Sequence, residues 1–173
     1  MGSYRRTAAP DVVPRSLPVN SHPRPHAYYL NIFTVRTWNE FLASDRTVSG
    51  FRQGSRGLAG KLEIDDLLLC YVIGQSRFVG ALRVASLRYE DYAPIWTTEA
   101  FPVRVRVAAV QALAPEEGVA IKSLIERFSW YSPDASPRAW QGRVQNTLRK
   151  WPESDGELVM RELEAAAARS LSV

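Results

Sequence analysis

The chain has 173 residues, 46% hydrophobic and 23% charged, the arithmetic of one globular domain that can bury a core unaided. Its single cysteine, Cys70, excludes an internal disulfide and any cysteine-cluster zinc site; its two histidines, His22 and His26, both lie in a proline-rich N-terminal stretch, outside any expected core. The formal net charge of +4 points to an acidic partner such as nucleic acid, but +3 of it falls on residues 1–26, leaving the body nearly neutral.

Residues 1–26 hold five of the eleven prolines and show no hydrophobic periodicity, which predicts a flexible tail before a folded domain over 27–173. Tyr28-Tyr29-Leu30-Asn31-Ile32-Phe33-Thr34 is β-rich and of strand length. Thr37 with Glu40 forms a capping-box pattern that opens a short helix through Trp38, Phe41 and Leu42. Residues 45–61 are expected to be a loop punctuated by Gly50, Gly54, Gly57 and Gly60. Asp65-Asp66 turns into the continuous apolar run Leu67 to Ile73, a strand buried on both faces. Gly74-Gln75-Ser76 leads to a third strand, Arg77 to about Leu87, and then to a loop with Pro94 and Trp96.

Val103-Arg104-Val105-Arg106-Val107 alternates apolar and basic, so one face is expected in the core and the other in water. Pro115 to Gly118 is a turn, and Ile121, Leu124, Ile125 and Phe128 mark one face of a helix. Residues 129–137 are irregular, and Asp155 is expected to cap a last helix carrying Leu158, Val159 and Leu163. Short strands with helices at both ends predict an α+β domain around a small curved sheet or barrel.

No HExxH, CxxC or P-loop spacing is present, and Cys70 sits within a leucine run as a small hydrophobe. Asp65-Asp66 and Glu90-Asp91 fit a turn and a polar loop better than acid–base work, so no catalytic group and no cofactor is expected. No apolar run approaches the ~20 residues of a membrane span, and no secretion signal is visible, so no membrane partner and a cytoplasmic location are expected.

Phe51 and Trp96 stand in loops, where large rings suit the stacking of a planar ligand such as a flipped-out base; the alternative is that they plug the barrel ends. Two acid-free blocks, Arg46 to Lys61 and Arg138 to Lys150, each carry +4 and could line a groove for a phosphate backbone, or be ordinary solvated loops. Arginine outnumbers lysine 19 to 3, which fits phosphate recognition but more plainly a GC-rich coding bias.

The order of these segments resembles the EVE domain, a member of the PUA-like superfamily related to YTH domains. The match runs over about 28–165, through Tyr28-Tyr29-Leu30-Asn31, Val48-Ser49-Gly50-Phe51, Ile64-Asp65-Asp66-Leu67, Arg77-Phe78-Val79-Gly80, Pro94-Ile95-Trp96, Phe101-Pro102-Val103 and Leu124-Ile125-Glu126-Arg127-Phe128. The resemblance implies a small mixed β-barrel surrounded by helices, with a pocket for a modified nucleobase.

By position, Phe51 and Trp96 would wall an aromatic cage, and Asn31, Thr34 and Ser49 would read the base edge. Relatives often carry tryptophan where this chain has the smaller Phe51. A methyl group makes a base more apolar and polarisable, so a dry aromatic box favours it. Arg52, Arg56, Arg77 and Arg143 are the candidates for backbone contact, and Trp140-Gln141-Gly142-Arg143 could instead add a third wall.

The expected function is a non-catalytic module that recognises a methylated or hydroxymethylated base in DNA or RNA, beside a nuclease or other effector protein. The alternatives are an enzyme acting on a small nucleoside-like molecule, for which Lys61, Lys122 and Lys150 are the only lysines, and a protein-interaction domain with a vestigial pocket.

Overall fold

The computed structural model describes residues 25–172. The expected tail over 1–26 lies outside the described residues except for its last two. In chain order the elements are β1 (Tyr28–Phe33), α1 (Val35–Ala43), β2 (Val48–Phe51), α2 (Arg56–Ala59), β3 (Leu67–Val72) and β4 (Arg77–Val84). They continue as β5 (Tyr89–Glu90), β6 (Val103–Ala112), β7 (Val119–Ala120), β8 (Lys150–Trp151) and α3 (Glu153–Ser170).

All six residues of β3 are buried, as a continuous apolar run requires of a strand covered on both faces. It lies parallel to β1 and antiparallel to β4, and the sheet runs β2-β6-β4-β3-β1-β8, with β5 on β6 and β7 on β4. One face packs Tyr28, Leu30, Leu69 and Tyr71 against Leu158, Val159 and Leu163 of α3 and against Ile121, Leu124 and Phe128. The other, inside the curl of the sheet, packs Phe33, Leu68, Cys70, Leu82, Val103 and Val105 against Trp38 and Phe41 of α1. Burial pushes the Cys70 thiol well above its usual range, so it serves as a small apolar side chain. The result is the α+β class that the sequence predicts, as a mixed sheet curled into a half-barrel with few helices rather than a barrel surrounded by them. No helix among the described residues is long and apolar enough to cross a membrane.

Several local expectations change. The capping box lies one turn earlier than Thr37 and Glu40: Thr34 Oγ accepts from Thr37 N at 3.1 Å, and Thr34 N donates to Thr37 Oγ at 3.0 Å. The loop expected over 45–61 contains β2 and the single turn of α2, because Val48, Ser49 and Phe51 find partners across β6. The third strand stops at Val84. Ile121 to Phe128 forms two 3-10 turns, Ile121–Ser123 and Ile125–Arg127, rather than an α-helix, a spacing of three being compatible with either.

Asp155 does not cap α3, which begins at Glu153 behind Pro152. It is buried and accepts from Ser129 N at 2.7 Å and Ser129 Oγ at 2.8 Å, tying the 129 loop to the helix. The alternation in β6 also fails at one position: Arg104, expected in water, is 1% exposed because the 91–102 segment folds over it.

Candidate functional site

Along the hydrogen-bonded path of the sheet, β6, β4 and β3 separate β2 from β1. The curl brings the two back together. Asn31 Nδ2 of β1 donates to Ser49 Oγ of β2 at 2.8 Å, and both side chains are buried. These two expected base readers are therefore engaged with each other as a clasp across the seam.

Residues two apart on a strand share a face, so Phe33 follows Asn31 and Phe51 follows Ser49 on the inner side. Where the strands end beyond the clasp, a cleft of about 660 Å³ opens, lined by Phe33, Thr34, Gly50, Phe51 and Arg52. Thr34 lines it, although its hydroxyl is occupied in capping α1.

A second side comes from the segment before β8. Gln145, Asn146 and Thr147 line the cleft, and Thr147 Oγ is pinned by Ile32 N at 3.3 Å. Gln145 and Asn146 are exposed. Both groups were missed in the sequence, because 145–147 reaches β1 across more than a hundred residues and carries no local motif.

The third side is the end of the 91–102 segment, which contributes Thr98, Glu99 and Phe101. Phe101 is half-buried and has φ +43°, a left-handed conformation made more unusual by the proline that follows it. Such strain persists only where the surroundings over-determine it. Here Arg104 does so, donating through Nε to the Phe101 carbonyl at 3.2 Å and through Nη2 to those of Ala100 at 3.0 Å and Ala93. Its Nη1 also faces Asp91 Oδ2 at 3.4 Å. At the other end, Thr97 donates through its hydroxyl and its amide to the Glu40 carboxylate on α1.

Trp96 does not line this cleft. A Cβ built on Gly50 would lie 2.6 Å from the Trp96 ring, so the indole packs on the face of β2 opposite Ser49 and Phe51. It stands edge-on to Phe101, with centroids 5.4 Å apart, under the Arg104 guanidinium at 5.8 Å. Its Nε1 is buried and has no acceptor among the described residues. Trp96 thus backs Phe101 from behind. Phe101 takes the wall position that the sequence reading gave to Trp96, and a ring poised before Pro102 was the available signal.

Of the four arginines expected at a nucleic-acid backbone, only Arg52 reaches the cleft, and it is forked onto Glu99 by bonds of 2.9, 3.0 and 2.6 Å. Arg56 pairs with Glu90 at 2.9 Å, Arg77 donates to the Gly118 carbonyl at 2.6 Å, and Arg143 lies over the Trp130 ring at 5.3 Å. Among the described residues, Arg52 and Glu99 are the only charged ones lining the cleft, and their charges cancel.

The hydrogen bonds from Arg52 hold the Glu99 carboxyl below the usual glutamate range. A carboxylate depressed in this way contributes above its unfolded pKa, and that contribution is lost as pH falls through the lowered value. A carboxyl-carbon NMR titration should show Glu99 ionised into more acidic solution than an ordinary glutamate, and Arg52→Gln should move its midpoint back up. An unmoved midpoint in the variant would contradict the pairing. Among the described residues no group of three or more His, Cys, Asp or Glu is placed to hold a metal ion.

No protein-family model and no curated protein sequence matches the chain. Solved structures do. The Pho92 YTH domain in complex with m6A has a TM-score of 0.59 at 12% identity, covering 85% of this chain and 88% of that one. The YTH domain of the Zygosaccharomyces rouxii MRB1 protein in complex with N6-methyladenosine RNA scores 0.57 at 13% identity, covering 88% and 94%. Protein Atu2648 from Agrobacterium tumefaciens scores 0.51 at 16% identity, covering 79% and 92%. The likeness is one of fold.

Proposed function

We propose that this chain is a non-catalytic module of the EVE type that holds a modified nucleobase, in DNA or RNA, in the cleft between β1 and β2. The observation that carries the reading is the cleft itself: neutral overall, walled by Phe33, Phe51 and Phe101, with the amides of Gln145 and Asn146 on another side. Flat apolar walls take the faces of a base, and amides pair with its edge. A phosphate would find no unpaired cation there among the described residues. The reading is supported by two YTH domains of similar fold that were captured with m6A or with N6-methyladenosine RNA. The single carboxylate of the lining is spent on Arg52, which favours a reader over an enzyme. Any cutting of the bound strand would fall to a partner, such as a nuclease.

The test is calorimetric binding of methylated and hydroxymethylated nucleosides against their unmodified parents, in ribose and deoxyribose forms. At least one modified base should bind more tightly than its parent. Phe101→Ala, at a half-buried position, should weaken that binding about tenfold, as expected from the ~1–3 kcal/mol of one base–aromatic stack. No preference for any modification, or a variant that binds as the parent does, would sink the reading.

A further inference from the structure

The two basic blocks, alike in the sequence, differ in the fold. In 46–61, Arg52 is forked onto Glu99, Arg56 is paired with Glu90, and Arg46 Nε is held by the Leu42 carbonyl at 2.9 Å. A phosphate arriving at Arg52 or Arg56 must displace a carboxylate and gains little net charge, while Arg46 and the exposed Lys61 have no carboxylate partner among the described residues. In 138–150, no carboxylate among the described residues pairs with Arg138, Arg143, Arg149 or Lys150. Arg143 is half-buried and lies over the Trp130 ring, 5.3 Å from its centroid. Arg138 and Lys150 are exposed.

Geometry joins this block to the cleft. Gln145, Asn146 and Thr147, in its middle, line the opening. Lys150 stands opposite Tyr29 in the β1–β8 register, and directly opposed residues share a face. Tyr29 packs with the inner core, so Lys150 lies on the cleft side of the sheet, and it stands three β1 positions, roughly 10 Å of strand, from Ile32, which holds Thr147.

We infer that a single nucleic-acid strand leaves the cleft along residues 138–150, its phosphates held by Arg138, Arg143 and Lys150, and does not run along 46–61. The inference rests on the base-binding reading above and specifies the track that the rest of the ligand follows. Phosphate contacts made by unpaired cations release counterions, and their number sets the salt dependence of binding.

The full chain would be titrated with short single strands carrying one N6-methyladenine, as RNA and as DNA, at several salt concentrations. Arg138→Gln combined with Lys150→Gln should flatten the slope of log K against log salt by about 1.4, at about 0.7 per phosphate contact on a single strand. Arg56→Gln, which leaves Glu90 beside Arg88, should keep the parent slope. A double variant with the parent slope, or an Arg56→Gln slope that falls as far, overturns the track. A loss confined to RNA would assign the contacts to the 2′-hydroxyl and overturn the phosphate assignment. Free N6-methyladenosine, without a phosphate, should bind parent and variants alike. Its failure to bind the parent would count against N6-methyladenine as the base held, while the slopes would still decide the track.

Discussion

Replacing Arg104 by methionine should cost the domain about 3 kcal/mol and loosen the segment that presents Phe101. The side chain is 1% exposed and donates to the carbonyls of Ala93, Ala100 and Phe101. Methionine matches much of the volume but has no donor. Stranding a buried acceptor costs ~1–3 kcal/mol, and some of these carbonyls can turn to water, which limits the sum. The Asp91 partner is 45% exposed and contributes little. Denaturant unfolding would measure the loss. Base binding should fall about tenfold, since Phe101 would no longer be held at the cleft and its stack is worth ~1–3 kcal/mol. Arg104→Lys should recover only part of either quantity, because one ammonium cannot span a fork of carbonyls. A methionine variant as stable as the parent would remove Arg104 as the organiser of that segment.

Gly156→Ala should destabilise the fold by about 3 kcal/mol or more, a Tm drop of roughly 6–12 °C for a chain of this size. The sign is a contest. Alanine in place of glycine within a helix gains up to about 1 kcal/mol. Here, however, the new Cβ would lie 2.2 Å from Tyr28 Cγ and 2.5 Å from both Cδ atoms. Tyr28 is buried on β1, locked between its pairings with Leu67 and Trp151, so the ring has nowhere to move. The overlap outweighs the propensity gain. Gly54→Ala, with no atom within 4 Å of the new methyl, should leave Tm near the parent value. Pairing Gly156→Ala with Tyr28→Leu should recover stability relative to the two single losses added together. A single variant as stable as the parent would contradict this packing of α3.

The fold was legible where a pattern depended only on neighbours along the chain. The run Leu67 to Val72 declared a strand covered on both faces, and it sits in the middle of the sheet. Patterns that depended on what lay above them misled. Arg104 reads as a wet position in an alternating strand, yet the preceding segment 91–102 folds back and covers it. The site was half legible: Thr34, Phe51 and Arg52 reach the cleft, while Phe101 and 145–147 come to it through contacts that no local motif encodes. Asn31 and Ser49 were named only by position, through the resemblance, and the curl of the sheet is what shows that they face each other. The arginines could be counted in the sequence, but their carboxylate partners could not.

The seam between β1 and β2 has a mechanical consequence. The β1 and β2 sides of the cleft belong to distant positions on one continuous sheet, joined by four successive strand pairings. Each pairing contributes its own twist, typically about 20–25°, so small changes at each accumulate at the gap. The opening acts as a caliper on the coil of the whole sheet, and the Asn31–Ser49 bond is the stop that fixes its span. A substitution far away on β4 or β6 can therefore retune the width of the cleft without touching anything inside it.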